Sequence, residues 1–298
     1  MHPQDSLTHV RILIACPDQP GIVAAVASAL YGIGANITES AQHTTDPSGG
    51  AFFMRIACYI PSYREVTASD EASDVETSLF EAFRPLVNRF AIRYELSFGH
   101  QRQQMAIFVS REDHCLVELL WQRQNDALLA DIAMVISNHE THRATVERLG
   151  IPFHYTPISA DTKTAVESRQ LNLLDGRADF LVLARYMQVL SPRMIAAFPN
   201  RIINIHHSFL PAFSGAKPYE RAFARGVKII GATAHYVTEE LDAGPIIEQD
   251  VLRIDHGYTA ADMRRVGRQI ERTVLARAVQ WHIEGRILVH ANKTIVFP

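Results

Sequence analysis

The chain has 298 residues, 47% of them hydrophobic and 20% charged, with a formal net charge of −3. Acids and bases are mixed along its length with no basic block, which argues against nucleic acid or an anionic membrane as partner. No apolar run approaches the ~20 residues of a membrane span, and the first ten residues lack the pattern of a secretory signal. Cys16, Cys58 and Cys115 are separated and form no CxxC pair, so a disulfide framework or structural zinc is not expected and a reducing, cytoplasmic setting is.

The length predicts two domains. In the first, residues 9–15 are an apolar run of strand length, broken by Pro17-Asp18-Gln19-Pro20-Gly21. Ile22, Val23, Val26 and Leu30 then recur at helical spacing until Gly32 and Gly34. Residues 36–42 read as a strand, 46–50 as a turn, 51–60 as a strand, 75–88 as a helix and 91–97 as a last strand. The order βαββαβ predicts a ferredoxin-like sandwich. Ser97 to Gln104 is polar and aperiodic, which divides the chain into units 1–97 and 105–298 with a linker over 98–104.

In the second unit, strands at 105–110, 132–137, 180–184 and 202–205 alternate with helical patterns. That alternation predicts an α/β, Rossmann-like, mostly parallel sheet. Two adjacent strand-like runs, 229–237 and 246–254, precede a long amphipathic helix over 260–284 and a closing strand pair ending at 295–297. Trp121 and Phe180 read as core, and Cys115 as a small helix-facing residue with no sign of activation.

The chemistry concentrates in two stretches. Asn204 and His206 lie two apart at a strand end, on one face of an extended backbone. An amide beside an imidazole suits stabilising a carbonyl oxygen under attack, although a turn-capping Asn and a surface His explain the pair equally well. Asp242 lies in a loop closed by Gly244-Pro245, where a carboxylate could hold an imidazole charged and position a water. Taken alone, a loop Asp is more often structural, and Glu239 and Glu240 read as solvated. Adjacent His206 and His207 point to opposite faces of a strand, so no metal is expected there.

The second unit resembles the folate-dependent formyltransferase family, whose hallmark is N-[IV]-H-x-S-[LF]-L-P followed by L-D-x-G-P-I-I. Asn204, His206, Ser208, Leu210 and Pro211 match the first, and Leu241, Asp242, Gly244, Pro245, Ile246 and Ile247 the second. Residues 135–138 and 183–192 match further, so the likeness spans about 105–290. It implies Asn204, His206 and Asp242 as catalytic residues and His235 as a further residue of the site. It also implies a reduced pterin against loops 185–189 and 238–242, which puts Arg185, Met187, Val189, Thr238, Glu240 and Gly244 among the substrate-binding candidates.

Two departures narrow the reaction. Where a transferase to glycinamide ribonucleotide has a glycine-rich phosphate loop, this chain has Ser110-Arg111-Glu112-Asp113-His114-Cys115-Leu116, with no glycine and two acids. It also ends soon after the long helix, without the additional domain of a methionyl-tRNA formyltransferase. The first unit resembles ACT domains through Asp18 to Val23 and Gly32 to Ile37, which implies an amino-acid effector, methionine or glycine, near Asp18, Gln19, Gly21, Ile22 and Asn36. ACT pairing implies a dimer or tetramer.

The two units in this order are similar to the formyltetrahydrofolate deformylase family along essentially the whole chain. The implied reaction is hydrolysis of 10-formyltetrahydrofolate to tetrahydrofolate and formate, with the folate as substrate and no cofactor. Formyl transfer to a small amine and a non-catalytic folate sensor remain as alternatives. Lys217 and Arg221 are cations placed to meet a glutamate tail, or simply solvated.

Overall fold

The computed structural model describes residues 7–46, 49–61, 68–99, 101–212 and 218–298, with backbone alone over 68–73. Pro47 and Ser48 of the expected turn, His100 of the expected linker and Lys217 lie outside the described residues. Two compact units divide the chain. The first is 1–101 with Gly285–Leu288 and Ile295–Pro298; the second is 102–284 with Val289–Thr294.

The first unit runs β1 (Leu7–Pro17), α1 (Ile22–Gly32), β2 (Asn36–Thr44), β3 (Ala51–Pro61), α2 (Ala68–Phe90) and β4 (Arg93–Phe98). Its antiparallel sheet has the order β2-β3-β1-β4, the ferredoxin-like arrangement expected. Alternation assigns the two faces. Val10, Ile12 and Ile14 of β1 and Phe52, Met54, Ile56, Cys58 and Ile60 of β3 meet Ile22, Val26 and Leu30 of α1 and Leu79, Phe83 and Phe90 of α2. Leu13 and Phe53 point the other way and pack with Leu288 and Phe297. The chain's last residues thus complete the first unit's second face, whereas the sequence pattern alone placed all of 105–298 in the second.

Phe98 closes β4, and Gln103 and Gln104 belong to the next strand, so three of the seven residues of the expected linker are strand. Polar side chains there hid the alternation.

The second unit continues with β5 (Gln103–Val109), α3 (His114–Gln124), β6 (Ala130–Ser137), α4 (Arg143–Glu147), β7 (Phe153–Tyr155), α5 (Lys163–Leu174) and β8 (Phe180–Ala184). Then come α6 (Pro192–Ala197), β9 (Ile202–His206), α7 (Pro218–Arg225), β10 (Ile229–Tyr236), β11 (Ile246–Arg253) and α8 (Ala260–Ile283). A hairpin of β12 (Ile287–His290) and β13 (Lys293–Val296) ends the chain.

The seven-stranded sheet is ordered β11-β10-β9-β8-β5-β6-β7. Strands β5 to β9 are parallel, and β10 and β11 join antiparallel. From β5 the chain moves outward to β7, then returns to the opposite side of β5 as β8. The carboxyl ends of β5 and β8 therefore flank a topological switch point, where such sheets bind ligands.

The core is built from the strands expected to be apolar, and Phe180 is fully buried. Trp121 is not core; it is 57% exposed. Cys115, Leu116, Leu119 and Leu120 form the buried stripe of α3, and Trp121 falls beside it. Helix α8 starts with a capping box between Thr259 and Asp262. Among the described residues no helix is long and apolar enough to cross a membrane.

Near the end of α8, Nδ1 of His282 is hydrogen-bonded to the Tyr236 hydroxyl at 2.8 Å, and Phe180 covers the His282 ring at 4.7 Å between centroids. Burial, with Arg201 nearby, pulls this imidazole down to about 4. The unfolded chain binds a proton at ~6.5, so the contribution is complete above that pH and is lost as pH falls toward 4. The loss is on the order of 2–3 kcal/mol. The His282→Gln variant should show a flatter dependence of its urea midpoint between pH 7 and pH 4. An unchanged slope would remove His282 as a source of acid sensitivity.

Candidate active site

The site forms where β9, β10 and the loops after β8 and β10 meet. His206 is the last residue of β9 and Asn204 lies two before it, while His235 of β10 is the direct cross-strand partner of Asn204. Nδ1 of His235 is 2.9 Å from the Tyr236 carbonyl, which can only accept, so this nitrogen carries the hydrogen. Nε2 is left to accept from the Asn204 amide at 3.2 Å. Burial keeps His235 below its ordinary value, against the opposing pulls of the Tyr236 carbonyl and Asp242. One N–H of Asn204 is thereby fixed and the other remains for a ligand.

Asp242 reaches the same point from the β10–β11 loop. Its Oδ2 is 3.3 Å from Nδ1 of His206, and its Oδ1 is 3.9 Å from Nε2 of His235. Nε2 of His206 is buried without a hydrogen-bond partner among the described residues. The carboxylate thus orients the ring from one side and leaves the other nitrogen for chemistry.

Asp242 has φ 56°, a left-handed conformation that Asp and Asn tolerate better than most residues. Gly244 has a different reason: a Cβ there would lie 1.8 Å from the Tyr236 carbonyl oxygen. The loop is pressed against the end of β10, where Tyr236 also donates its N–H to Pro245 at 2.9 Å.

The β9 loop is held by one hydroxyl. Thr233 Oγ1 donates to the Ser208 carbonyl and accepts from Leu210 N–H and the Gln249 amide. At the switch point, Ser110 donates to Asn138 at 2.7 Å and accepts from Met187 N–H at 3.0 Å, tying together the ends of β5, β6 and β8.

A cleft of about 240 Å³ opens onto Asn204, His206, His235 and Asp242. Its apolar wall includes Leu183, Met187, Val189, Val237 and Leu241. Met187 and Val189 are each 57% exposed and Leu241 63%, an apolar rim suited to a flat ring system. Arg185 and Thr238 also line it. Glu240 is exposed and does not line the cleft; its carbonyl accepts from the Thr238 hydroxyl at 3.2 Å. Gly244 sits beneath the loop rather than on the wall. Arg221 is exposed on α7.

One buried group lies outside the motifs that the sequence offers. Glu271 of α8 is 1% exposed, with its oxygens 2.8 Å from His114 Nε2 and 2.7 Å from the Tyr219 hydroxyl. Burial would raise its carboxyl, but His114, Arg185 and Tyr219 outweigh that and hold it below the usual range. The available signal was a glutamate at helical spacing within the buried stripe of Val266, Ile270, Val274 and Leu275. His114, Cys115 and Glu271 place donor atoms within 4.8 Å of one another, as an ion site would. Arg185 stands 3.4 Å from the same carboxylate, however, and burial keeps the Cys115 thiol protonated.

In the first unit, Asp18 accepts from the Thr44 hydroxyl at 2.7 Å and Gly21 caps α1 with φ 93°. Gln19 and Asn36 are exposed, but the Ile22 side chain is core, so only its backbone could face a ligand.

Residues 103–279 match the formyl transferase family and residues 10–62 the ACT domain family. A formyltetrahydrofolate deformylase of Bacillus subtilis (strain 168) is 55% identical over 288 residues, covering 96% of this chain and 93% of the relative. The crystal structure of a formyltetrahydrofolate deformylase from Pseudomonas syringae pv. tomato is 43% identical with a TM-score of 0.89, covering 99% of this chain and 96% of that one. Glycinamide ribonucleotide transformylase 1 from Symbiobacterium toebii superposes with a TM-score of 0.63 at 28% identity, over 68% of this chain and 98% of its own. Similarity to the deformylases runs through both units, and this chain belongs to the formyltetrahydrofolate deformylase family.

Proposed function

We propose that this protein hydrolyses 10-formyltetrahydrofolate to tetrahydrofolate and formate. The observation that carries the reading is the convergence of Asn204, His206 and Asp242 at the mouth of an apolar cleft. The pterin lies along Met187, Val189 and Leu241, with the formyl group toward His206. Asp242 and His206 position a water, whose oxygen bonds to the formyl carbon as Asp242 accepts its proton. The free N–H of Asn204 and protonated Nε2 of His206 stabilise the oxyanion. The C–N10 bond then breaks as N10 takes the proton that Asp242 accepted, and the formic acid formed loses its proton to solvent and leaves as formate. His235 acts by positioning Asn204. The folate is consumed as substrate, and no further cofactor enters the scheme.

The test is formate release from 10-formyltetrahydrofolate by the purified protein with no other acceptor present. Steady release supports hydrolysis. Turnover only on adding an amine would make the protein a transferase, and tight binding without turnover a sensor.

For the first unit we read an amino-acid effector, methionine or glycine, bound near Asp18, Gln19, Gly21 and Asn36, and assembly as a dimer or tetramer. The buried, unpaired Cys16, Cys58 and Cys115 suit a reducing compartment, and we place the protein in the cytoplasm.

A further inference from the structure

Water is a weak nucleophile beside an amine, so a deformylase must also keep amines from the formyl carbon. The fold does not do this by itself, since a transformylase superposes over 68% of the chain. Beside the folate cleft lies a second cavity of about 170 Å³, bounded by charged groups including Glu112, Arg264, Arg268 and Glu271. Among the described residues, only Arg185 and His207 line both spaces. Among those residues, the path from the second cavity to the formyl carbon runs between these two side chains.

Arg185 is held there at a cost. Its φ is 62°, a left-handed backbone that glycine adopts freely and an arginine does not. Its Nε stands 3.4 Å from Glu271, within ion-pair distance. Yet Nε and Nη1 are buried without a hydrogen-bond partner among the described residues. Glu271 is already engaged by His114 and Tyr219. Buried donors in this state are satisfied by a molecule as small as water. The other wall, His207, is neutral, because burial and then Arg185 push its imidazole down to about 3.

We propose that Arg185 determines the acceptor: its side chain, drawn onto Glu271, partitions the folate cleft from the charged cavity, admitting water and excluding amines. This rests on the hydrolytic reading above. Removing the side chain would merge the two spaces. A bound amine nitrogen would then bond to the formyl carbon as the C–N10 bond breaks, the amine losing one proton and N10 gaining one.

The experiment uses Arg185→Gly, which the left-handed φ accommodates without strain. Full-length wild type and variant are mixed with 10-formyltetrahydrofolate and glycinamide as the probe amine, and formylglycinamide and formate are quantified by mass spectrometry. The ratio of formylglycinamide to formate should rise roughly tenfold or more in the variant. Arg185→Ala serves the same purpose if a melting curve shows the glycine variant unfolded. In Arg185→Lys, which keeps most of the bulk, the product ratio should stay close to that of wild type. A hydrolytic wild type with an unchanged ratio in both small variants overturns the partition alone. So does a lysine variant that matches the glycine one. A wild type releasing no formate without amine would instead overturn the hydrolytic reading, and this inference with it.

Discussion

Asp242→Asn should cut formate release by roughly 10³-fold while leaving the fold and the affinity for folate nearly unchanged. The substitution changes one atom and removes the negative charge. Asp242 has φ 56°, and Asn is among the few residues that tolerate this conformation, so the loop has no reason to move. Contact with the His206 ring at 3.3 Å can persist, because an amide oxygen still accepts from Nδ1. What disappears is a group able to take a proton from water and to sustain charge on His206. The defect should therefore fall on kcat, with KM and the melting temperature near wild type. Near-normal kcat in the variant would remove Asp242 as the base and return it to a loop-shaping role.

The contrast between this residue and Glu271 shows what the sequence made legible. Asn204 and His206 stand at a strand end, where backbone geometry alone sets the direction of a side chain, and Asp242 stands in a short loop marked by Gly244-Pro245. Two residues of spacing on β9 were enough to place Asn204 and His206 on one face. Gly244 reads in the sequence as a substrate-binding position, whereas its close approach is to the Tyr236 carbonyl. The network of Arg185, Glu271, His114 and Tyr219 brings together four elements, with His114 and Glu271 157 positions apart in the chain. Its members look ordinary until packing joins them, and the one local sign was a charge in the apolar stripe of α8.

The fold divides the same way. Long periodic elements were legible to within a few residues, because period 2 and period 3.6 are imposed by burial on one face. The three-residue edge strand β7 is too short to show a period. Leu288 and Phe297 were assigned by chain order to the second unit, but they pack on Leu13 and Phe53. Only the apolar residues on both faces of β3 hinted that the first sheet needed a second cover. Trp121 failed for the opposite reason: its size argued for burial while its position on α3 put it beside the buried stripe.

Gly244→Ala is the second large effect expected, and it tests the site through geometry instead of charge. The added Cβ would lie 1.8 Å from the Tyr236 carbonyl oxygen, 3.0 Å from its carbon and 3.3 Å from Thr238 Cγ2. The nearest atom is backbone at the end of a central strand, so the neighbour cannot swing aside as a flexible side chain would. The loop must retreat by more than an ångström and carry Asp242, two residues away, with it. A displacement of that size at a catalytic group costs about 10²-fold in rate. The same movement strains the Tyr236 to Pro245 hydrogen bond, so the melting temperature should fall as well. Unlike Asp242→Asn, this variant should lose both kcat and folate affinity, because Thr238 and Leu241 of the cleft wall belong to the same loop. Measuring kcat, KM and thermal unfolding side by side separates the two. If Gly244→Ala kept wild-type kinetics, the loop could yield at Tyr236 without moving the carboxylate, and the contact would be a matter of packing alone. If it lost stability but kept kcat, Asp242 would be held by His206 and His235 rather than by the turn that delivers it.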